Sequence, residues 1–306
     1  MNLKAIHTKN LRWIDCVNPG DAELKFLKEN FNFHPLDFQD ITSTSQHPKI
    51  EERENYHFLV LLFPVFNRVT REIRPAEVDF FIGKDYLVTI HDGSMYTLVH
   101  MFQSVSAHDA LRVQYMSKTS GYLLFEVLEA LFRRSFPILD HITKDMSDIE
   151  QYIFADISLK MLEKISMMKR NIIDFRRIMK THHLLLKKLM ITKNSYMVFH
   201  DSKSYYARLL EHSENIWDIL AIQKETIEAL HDANQSLATN NLNQITKVIT
   251  ILSALFLPAT LIIFIFQLGL PGQPFRTNPH SFWIAVLFAA LGSAIMLSYF
   301  KLKKWF

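Results

Sequence analysis

Two uncharged apolar runs stand out in the last sixty residues. From Val248 to Leu270 no residue is charged, and Gln267 is the only strongly polar side chain. Phe282 to Phe300 reads FWIAVLFAALGSAIMLSYF, again without a charge. Each run is close to the ~20 residues that cover a ~30 Å hydrocarbon core. The small hydroxyls inside the first run (Thr250, Ser253, Thr260) can bond to the helix's own carbonyls and so remain compatible with lipid. The competing reading, two buried helices of a soluble domain, would have to bury two adjacent runs in one core. The pattern predicts a transmembrane hairpin with spans at about 248–268 and 282–300. Basic residues set its orientation. Lys247 precedes the first span, Lys301, Lys303 and Lys304 follow the second, and the loop Gly269–Ser281 carries only Arg276. Both termini are therefore expected in the cytoplasm, with Trp283 and Trp305 at the interfaces.

Upstream, the period changes twice. Leu11–Val17, His57–Phe66, Ala76–Ile82 and Tyr86–His91 are rich in β-branched and aromatic residues and bounded by Gly, Pro, Asp or Asn, as strands are. Asp21–Asn30, after Asn18-Pro19-Gly20, reads as a short capped helix. From Met95 the pattern is helical, and between Pro137 and Pro258 there is neither Gly nor Pro. Polar clusters at Lys193–Ser195 and His200–Ser204 are the expected turns. This predicts an antiparallel pair: one arm to about Thr192, then a return helix from Ser204 that runs on into the membrane as a stalk. The fold class is thus an α+β cytoplasmic domain (1–94), a long helical stalk (95–246) and a transmembrane hairpin (247–306).

Composition narrows the function. Cys16 is the only cysteine, which excludes a disulfide framework and a thiolate zinc cluster. The net charge of +3 is small beside 34 basic and 31 acidic residues, so no field for nucleic acid follows. Met1–Asn10 has no apolar core, so no signal peptide is expected. There is no Gly-rich phosphate loop, HExxH or GxSxG, and the chain is not expected to be an enzyme or to hold a cofactor. His182-His183, among Lys180, Lys187 and Lys188, reads as a solvated basic face. The acidic run of Asp140, Asp145, Asp148, Glu150 and Asp156 is expected to pair with Lys160–Lys188, within the chain or between copies. His231-Asp232 falls on the stalk near the polar seam described next and is a candidate for a cytoplasmic vestibule.

A seven-residue repeat runs along the stalk into the first span. Thr239, Thr246, Ser253, Thr260 and Gln267 form one series, and Asn243, Thr250, Leu257 and Phe264 a second. A seven-residue period keeps one seam on the axis of a left-handed helical bundle. Two readings are open: ordinary packing of small residues between membrane helices, or a water path lined by hydroxyls and amides, with Leu257 and Phe264 as dry constrictions and Ile249 as a possible inner ring. Two spans cannot enclose water alone, so a pore requires several copies of the chain.

These features together resemble the CorA-type divalent metal transporters over nearly the whole chain. HPLDFQDI (His34–Ile41) and QHPKIEERENYHFLVLL (Gln46–Leu62) are similar to the family's N-terminal domain. KVITILSALFLPATLI (Lys247–Ile262) is similar to its first span, and YFKLKKWF (Tyr299–Phe306) to its basic C-terminus. The resemblance implies a homopentameric funnel in a bacterial inner membrane, with the first span around a central pore that passes Mg2+, Zn2+ or Co2+ as substrate. Departures are equally clear. The family's Gly-Met-Asn after the first span is replaced by Phe266-Gln267-Leu268-Gly269, and the outer loop PGQPFRTNPHS has no acidic residue but carries Arg276 and His280. Gly269-Leu270-Pro271-Gly272 resembles the zinc-transporting branch. The family's inter-subunit acidic pair falls on Asn67 and Arg208. The outer mouth is thus expected at Gln267, Leu268, Gly269, Arg276 and His280. A non-conducting membrane-anchored scaffold or sensor of the same shape is the alternative.

Overall fold

The computed structural model describes residues 2–42, 48–153, 159–192, 194, 196–197, 199–268 and 279–303. It divides into two compact units, Met1–His231 and Asp232–Phe306.

The first unit is built on a six-stranded sheet, in the order β1-β2-β6-β5-β4-β3. The strands are β1 (Leu3–His7), β2 (Arg12–Val17), β3 (Lys49–Glu52), β4 (Tyr56–Asn67), β5 (Glu72–Gly83) and β6 (Tyr86–His91). Among the described residues only β2 and β6 pair in parallel. Helices α1 (Asp21–Asn30) and α2 (Pro35–Thr42) belong with one face, where Cys16, Leu27, Phe31, Phe33, Phe38, Phe58, Val60 and Phe81 share a core. The opposite face meets α3 (Tyr96–Ala107), α5 (Ser120–Tyr152) and α6 (Leu159–Met179) through contacts such as Trp13 with Phe102 and Phe63 with Phe132. Burial on both faces explains why β4 reads as a continuous apolar run rather than an alternating one.

The strands expected from sequence are present, and β1, β3 and α2 join them. These three are short, and β1 and β3 are polar edge strands with little apolar alternation to betray them. The α2 segment is anchored by Asp37, a fully buried carboxylate. It accepts hydrogen bonds from Arg53 Nη2 (2.5 Å), Arg53 Nε (3.2 Å) and the Tyr56 hydroxyl (2.6 Å).

The arm before the return helix is not one helix. α4 (Asp109–Met116) and α5 are followed by α6, then by α7 (His182–Ile191). Helices end here without Gly or Pro because α5 and α6 each bury a separate apolar stripe, and packing overrides local propensity. His182 corrects the solvated-face reading. It is fully buried, 5.3 Å from the Phe63 ring centre and 5.5 Å from Phe132. His182, Leu186 and Leu189 lie on the inward stripe of α7, whereas His183 lies outside it and faces Glu214 at 3.4 Å. Among the described residues no ion pair joins the acidic run at 140–150 to the basic run at 160–188; Asp145 pairs instead with His141. Asp156 lies outside the described residues. Asn67 closes the β4–β5 turn by accepting the Val69 and Thr70 amides, and Arg208 pairs with Glu129 of its own chain at 2.8 Å.

α8 (Ser202–Gln267) is a single 66-residue helix, and α9 (Ser281–Leu302) follows it. In the first unit α8 buries Leu209, Ser213, Ile216, Leu220, Gln223, Ile227 and Leu230, a three-and-four spacing. Gln223 Nε2 donates to the Leu139 carbonyl and the Thr143 hydroxyl, both at 2.9 Å. The end of α8 and the whole of α9 are long and apolar enough to cross a membrane.

Candidate functional site: an uncovered polar seam on α8

Within the second unit, α9 packs on one face of α8. Ser293 Oγ donates to the Leu255 carbonyl at 3.0 Å, and Ile251 of α8 and Ala285 of α9 are buried. Gly292 lets Pro258 approach; a Cβ at that position would stand 3.2 Å from the proline's own Cβ. Pro258 lacks the N–H that would bond the Ala254 carbonyl, so this stretch of backbone is under-satisfied within its own helix. The Ser293 hydroxyl supplies a donor to the very next carbonyl, as a membrane interior demands.

The seam lies on the opposite face. At 100° per residue, its mean direction is roughly 150° around the helix from the line of Ile251, Leu255 and Pro258. Asn243, Thr246, Ile249, Thr250, Ser253, Leu257, Thr260, Phe264 and Gln267 are all exposed in the single chain. The large apolar members are as bare as the polar ones: Leu257 is 65% exposed and Phe264 60%.

The hydroxyl geometry gives this face a sign. Thr250 Oγ1 donates to the Thr246 carbonyl at 2.7 Å, and Thr260 Oγ1 to that of Leu257 at 3.0 Å. Each hydroxyl has thereby spent its only hydrogen on the backbone, and what remains is oxygen lone pairs. Hydroxyl oxygens presented in this way suit the outward-pointing hydrogens of a cation's water shell, and the Asn243 and Gln267 amides add carbonyl oxygens, with N–H donors beside them, toward the two ends of the seam. Dry segments at Leu257 and Phe264 interrupt it.

At the far end, Gln267 and Leu268 are exposed, and His280 is the residue before α9, its carbonyl accepting from Ile284 N–H at 3.1 Å. Gly269 and Arg276 lie outside the described residues. Among the described residues no group of three or more His, Cys, Asp and Glu side chains could hold a metal ion.

One set of residues escaped the sequence reading except for Asp232, which it placed near the seam. Counted back by sevens from Thr239, the first series continues as Asp232, Glu225, Asp218 and Glu211. All four are exposed, as are Asn215, Ile222, Ala229 and Ser236 of the second series. The signal was available, since the repeat does not stop where the membrane does.

A long mixed-sheet domain, a very long helix and two terminal apolar helices are matched as an ordered whole by one family model, described as CorA-like Mg2+ transporter protein, over residues 8–304. The chain belongs to the CorA-like Mg2+ transporter family. Among CorA proteins it is similar to the cobalt/magnesium transport protein CorA of Thermotoga maritima. The two are 25% identical over 304 residues, covering 96% of this chain and 83% of that one. Its fold is shared with the complete structure of the CorA magnesium transporter from Methanocaldococcus jannaschii, at a TM-score of 0.82 and 21% identity, covering 98% and 94% of the two chains. The cytoplasmic domain of ZntB from Vibrio parahaemolyticus shares the fold at a TM-score of 0.63 and 11% identity, covering 76% of this chain and 90% of that one. CorA membership makes this chain an integral membrane protein with two C-terminal helices, α8 and α9.

Proposed function

We propose that the chain passes divalent metal cations, of the Mg2+, Zn2+ or Co2+ class, through a central path lined by the α8 seam of several copies. The observation that carries this reading is the seam itself: a face of hydroxyls and amides interrupted at Leu257 and Phe264, opposite α9 and uncovered in one chain. The self-bonded hydroxyls would tolerate lipid, but the Asn243 and Gln267 amides carry donors and acceptors that hydrocarbon does not match; facing its own copies, the seam encloses a wet axis. The acidic positions Glu211, Asp218, Glu225 and Asp232 share its register and favour cations on the stalk side. The names of the CorA relatives point the same way.

Residues 1–94, 95–246 and 247–306 act as cytoplasmic domain, stalk and hairpin. The assembly is a homopentamer in a bacterial inner membrane with both termini in the cytoplasm, binds no nucleic acid, catalyses no reaction and needs no cofactor. Gln267 replaces the Asn amide at the outer end with a longer, less fixed one, so selectivity is poorer than in relatives that keep Gly-Met-Asn. The test is uptake of Mg2+, Zn2+ and Co2+ into proteoliposomes. Flux of at least one above protein-free vesicles is expected; flux of none, from a folded oligomer, selects the scaffold alternative.

A further inference from the structure

His57 of β4 is buried, and its two ring nitrogens have unequal surroundings. Nδ1 meets the Tyr196 hydroxyl at 3.0 Å. Around Nε2 stand three polar groups: Thr192 Oγ1 at 3.1 Å, the Asn194 side-chain amide at 3.4 Å and Glu52 Oε1 at 3.7 Å. A ring nitrogen of neutral imidazole either donates or accepts, so three partners are more than Nε2 needs.

The fold brings these groups together from two directions. Glu52 of β3 lies directly opposite His57 in the antiparallel ladder, which puts both side chains on one face of the sheet. Thr192, Asn194 and Tyr196 occupy alternate positions in the segment after α7, the period of an extended chain. That segment is braced against α5. The Tyr196 carbonyl accepts the Gly121 N–H at 3.0 Å, and Met197 is fully buried. A Cβ on Gly121 would stand 2.8 Å from the Met197 backbone, so glycine is what admits the approach.

The spacings are those of a coordination shell. Asn194 Nδ2 also donates to Glu52 Oε1 at 3.0 Å, so the distances among these groups run from 3.0 to 3.7 Å. Ligands about 2.1 Å from one metal ion stand about 3.0 Å apart in an octahedron and about 3.4 Å apart in a tetrahedron. The imidazole is also prepared as a ligand. An amide nitrogen only donates, so with Asn194 Nδ2 toward it Nε2 keeps its lone pair, and Nδ1 carries the hydrogen toward Tyr196. A partner on the second nitrogen is what holds a metal-binding imidazole in place. Burial pushes His57 below its ordinary value; Glu52 pulls the other way, and Lys188 of α7 adds to the effect of burial. The ring is therefore uncharged at neutral pH, as a ligand must be.

We propose that His57 Nε2, Glu52 Oε1, Thr192 Oγ1 and the Asn194 amide oxygen form a site for a divalent cation of the Zn2+ or Co2+ class. The Asn194 amide turns over on binding, and the ion replaces its hydrogen bond to Glu52. An imidazole among oxygen ligands suits these ions better than Mg2+, which prefers oxygen alone. The Glu52 side chain is 56% exposed and gives the ion its entry and the site its negative charge. The Lys188 ammonium, bonded to the Ile50 carbonyl at 2.9 Å, is the opposing charge nearby. Binding ties β3 and β4 to the segment that leads toward α8. The site lies wholly within the first unit and does not rest on the conduction reading.

The test is Zn2+ binding by the full chain in detergent, measured at equilibrium and so blind to flux, with and without equimolar Mg2+. The wild type should hold one Zn2+ per chain that Glu52→Gln binds at least about tenfold more weakly, and Mg2+ should leave it in place. Glu52→Gln keeps an acceptor for Asn194 and lies at the surface, so folding is spared. His57→Gln should abolish the same binding; where that variant does not fold, Glu52→Gln decides alone. Amide hydrogen exchange gives a second reading: Zn2+ should slow exchange at Asn194 and Tyr196 in the wild type and leave it unchanged in Glu52→Gln. A wild-type chain that binds no Zn2+, Zn2+ binding that Glu52→Gln leaves intact, or displacement by equimolar Mg2+ overturns the site.

Discussion

His182 should make the stability of the first unit sensitive to acid. Its imidazole is enclosed by Phe63 and Phe132, and burial brings its pKa down to about 4, although the Met179, Ile178 and Leu62 carbonyls nearby favour the charged form. In the unfolded chain the same group titrates near ~6.5. The unfolded state therefore takes up the proton first as pH falls. The stability tied to neutral His182 is complete above ~6.5 and drains away until the folded value is reached. A gap of about two to three pH units is worth about 3 kcal/mol, most of which is lost by pH 4.5. His182→Leu removes the titration while keeping an apolar side chain between the two rings. Urea unfolding in detergent, followed by fluorescence, should be run on both proteins at about pH 7.5 and about pH 4.5; the fully buried Trp13 reports on the core. The wild type should lose about 2–3 kcal/mol more than the variant. Equal losses in the two proteins would mean that His182 is solvated or already charged at neutral pH, and the reasoning fails.

Other consequences are as concrete. Gly292→Val should strain the α8–α9 contact at Pro258 and lower thermal stability in detergent by about 1–3 kcal/mol, with Gly292→Ala milder; equal stability of all three proteins would put the contact elsewhere. Leu257→Ser should raise flux or make it constitutive by wetting a dry segment, and a fall with the oligomer intact would make the seam mere packing. Replacing Asp218 and Glu225 together by Asn and Gln should cut cation flux several-fold at 0.01 M ionic strength, where the Debye length is about 30 Å, and far less at 0.15 M, where it is about 8 Å. A loss independent of salt would contradict an electrostatic role.

The membrane hairpin was legible because charge is excluded from lipid, and uncharged runs of that length are rare elsewhere. The central strands were legible for a similar reason: burial on both faces leaves β-branched and aromatic runs that little else produces. What escaped was set by tertiary contact. β3 is four residues of Lys-Ile-Glu-Glu, a strand only because β4 offers it an edge. The end of α5 at Tyr152 has no Gly or Pro to announce it. His182 looked basic beside three lysines, yet its spacing to Leu186 and Leu189 was apolar and gave the better clue. The seam was legible as a repeat, and its acidic continuation to Glu211 was missed only because the count stopped near the membrane.

The central claim is that the α8 seam faces the path of the ions. Cys16, the single native cysteine, is buried, and burial pushes its thiol up to about 12, so an introduced cysteine would report alone. Ser253→Cys places a thiol on the seam, and Leu252→Cys places one at almost the same depth, about 100° around the helix. Cation flux into proteoliposomes should be measured before and after a bulky, water-soluble thiol reagent. Loss of flux in Ser253→Cys with flux retained in Leu252→Cys is the predicted result; equal sensitivity of the two, or block through Leu252→Cys alone, would contradict it.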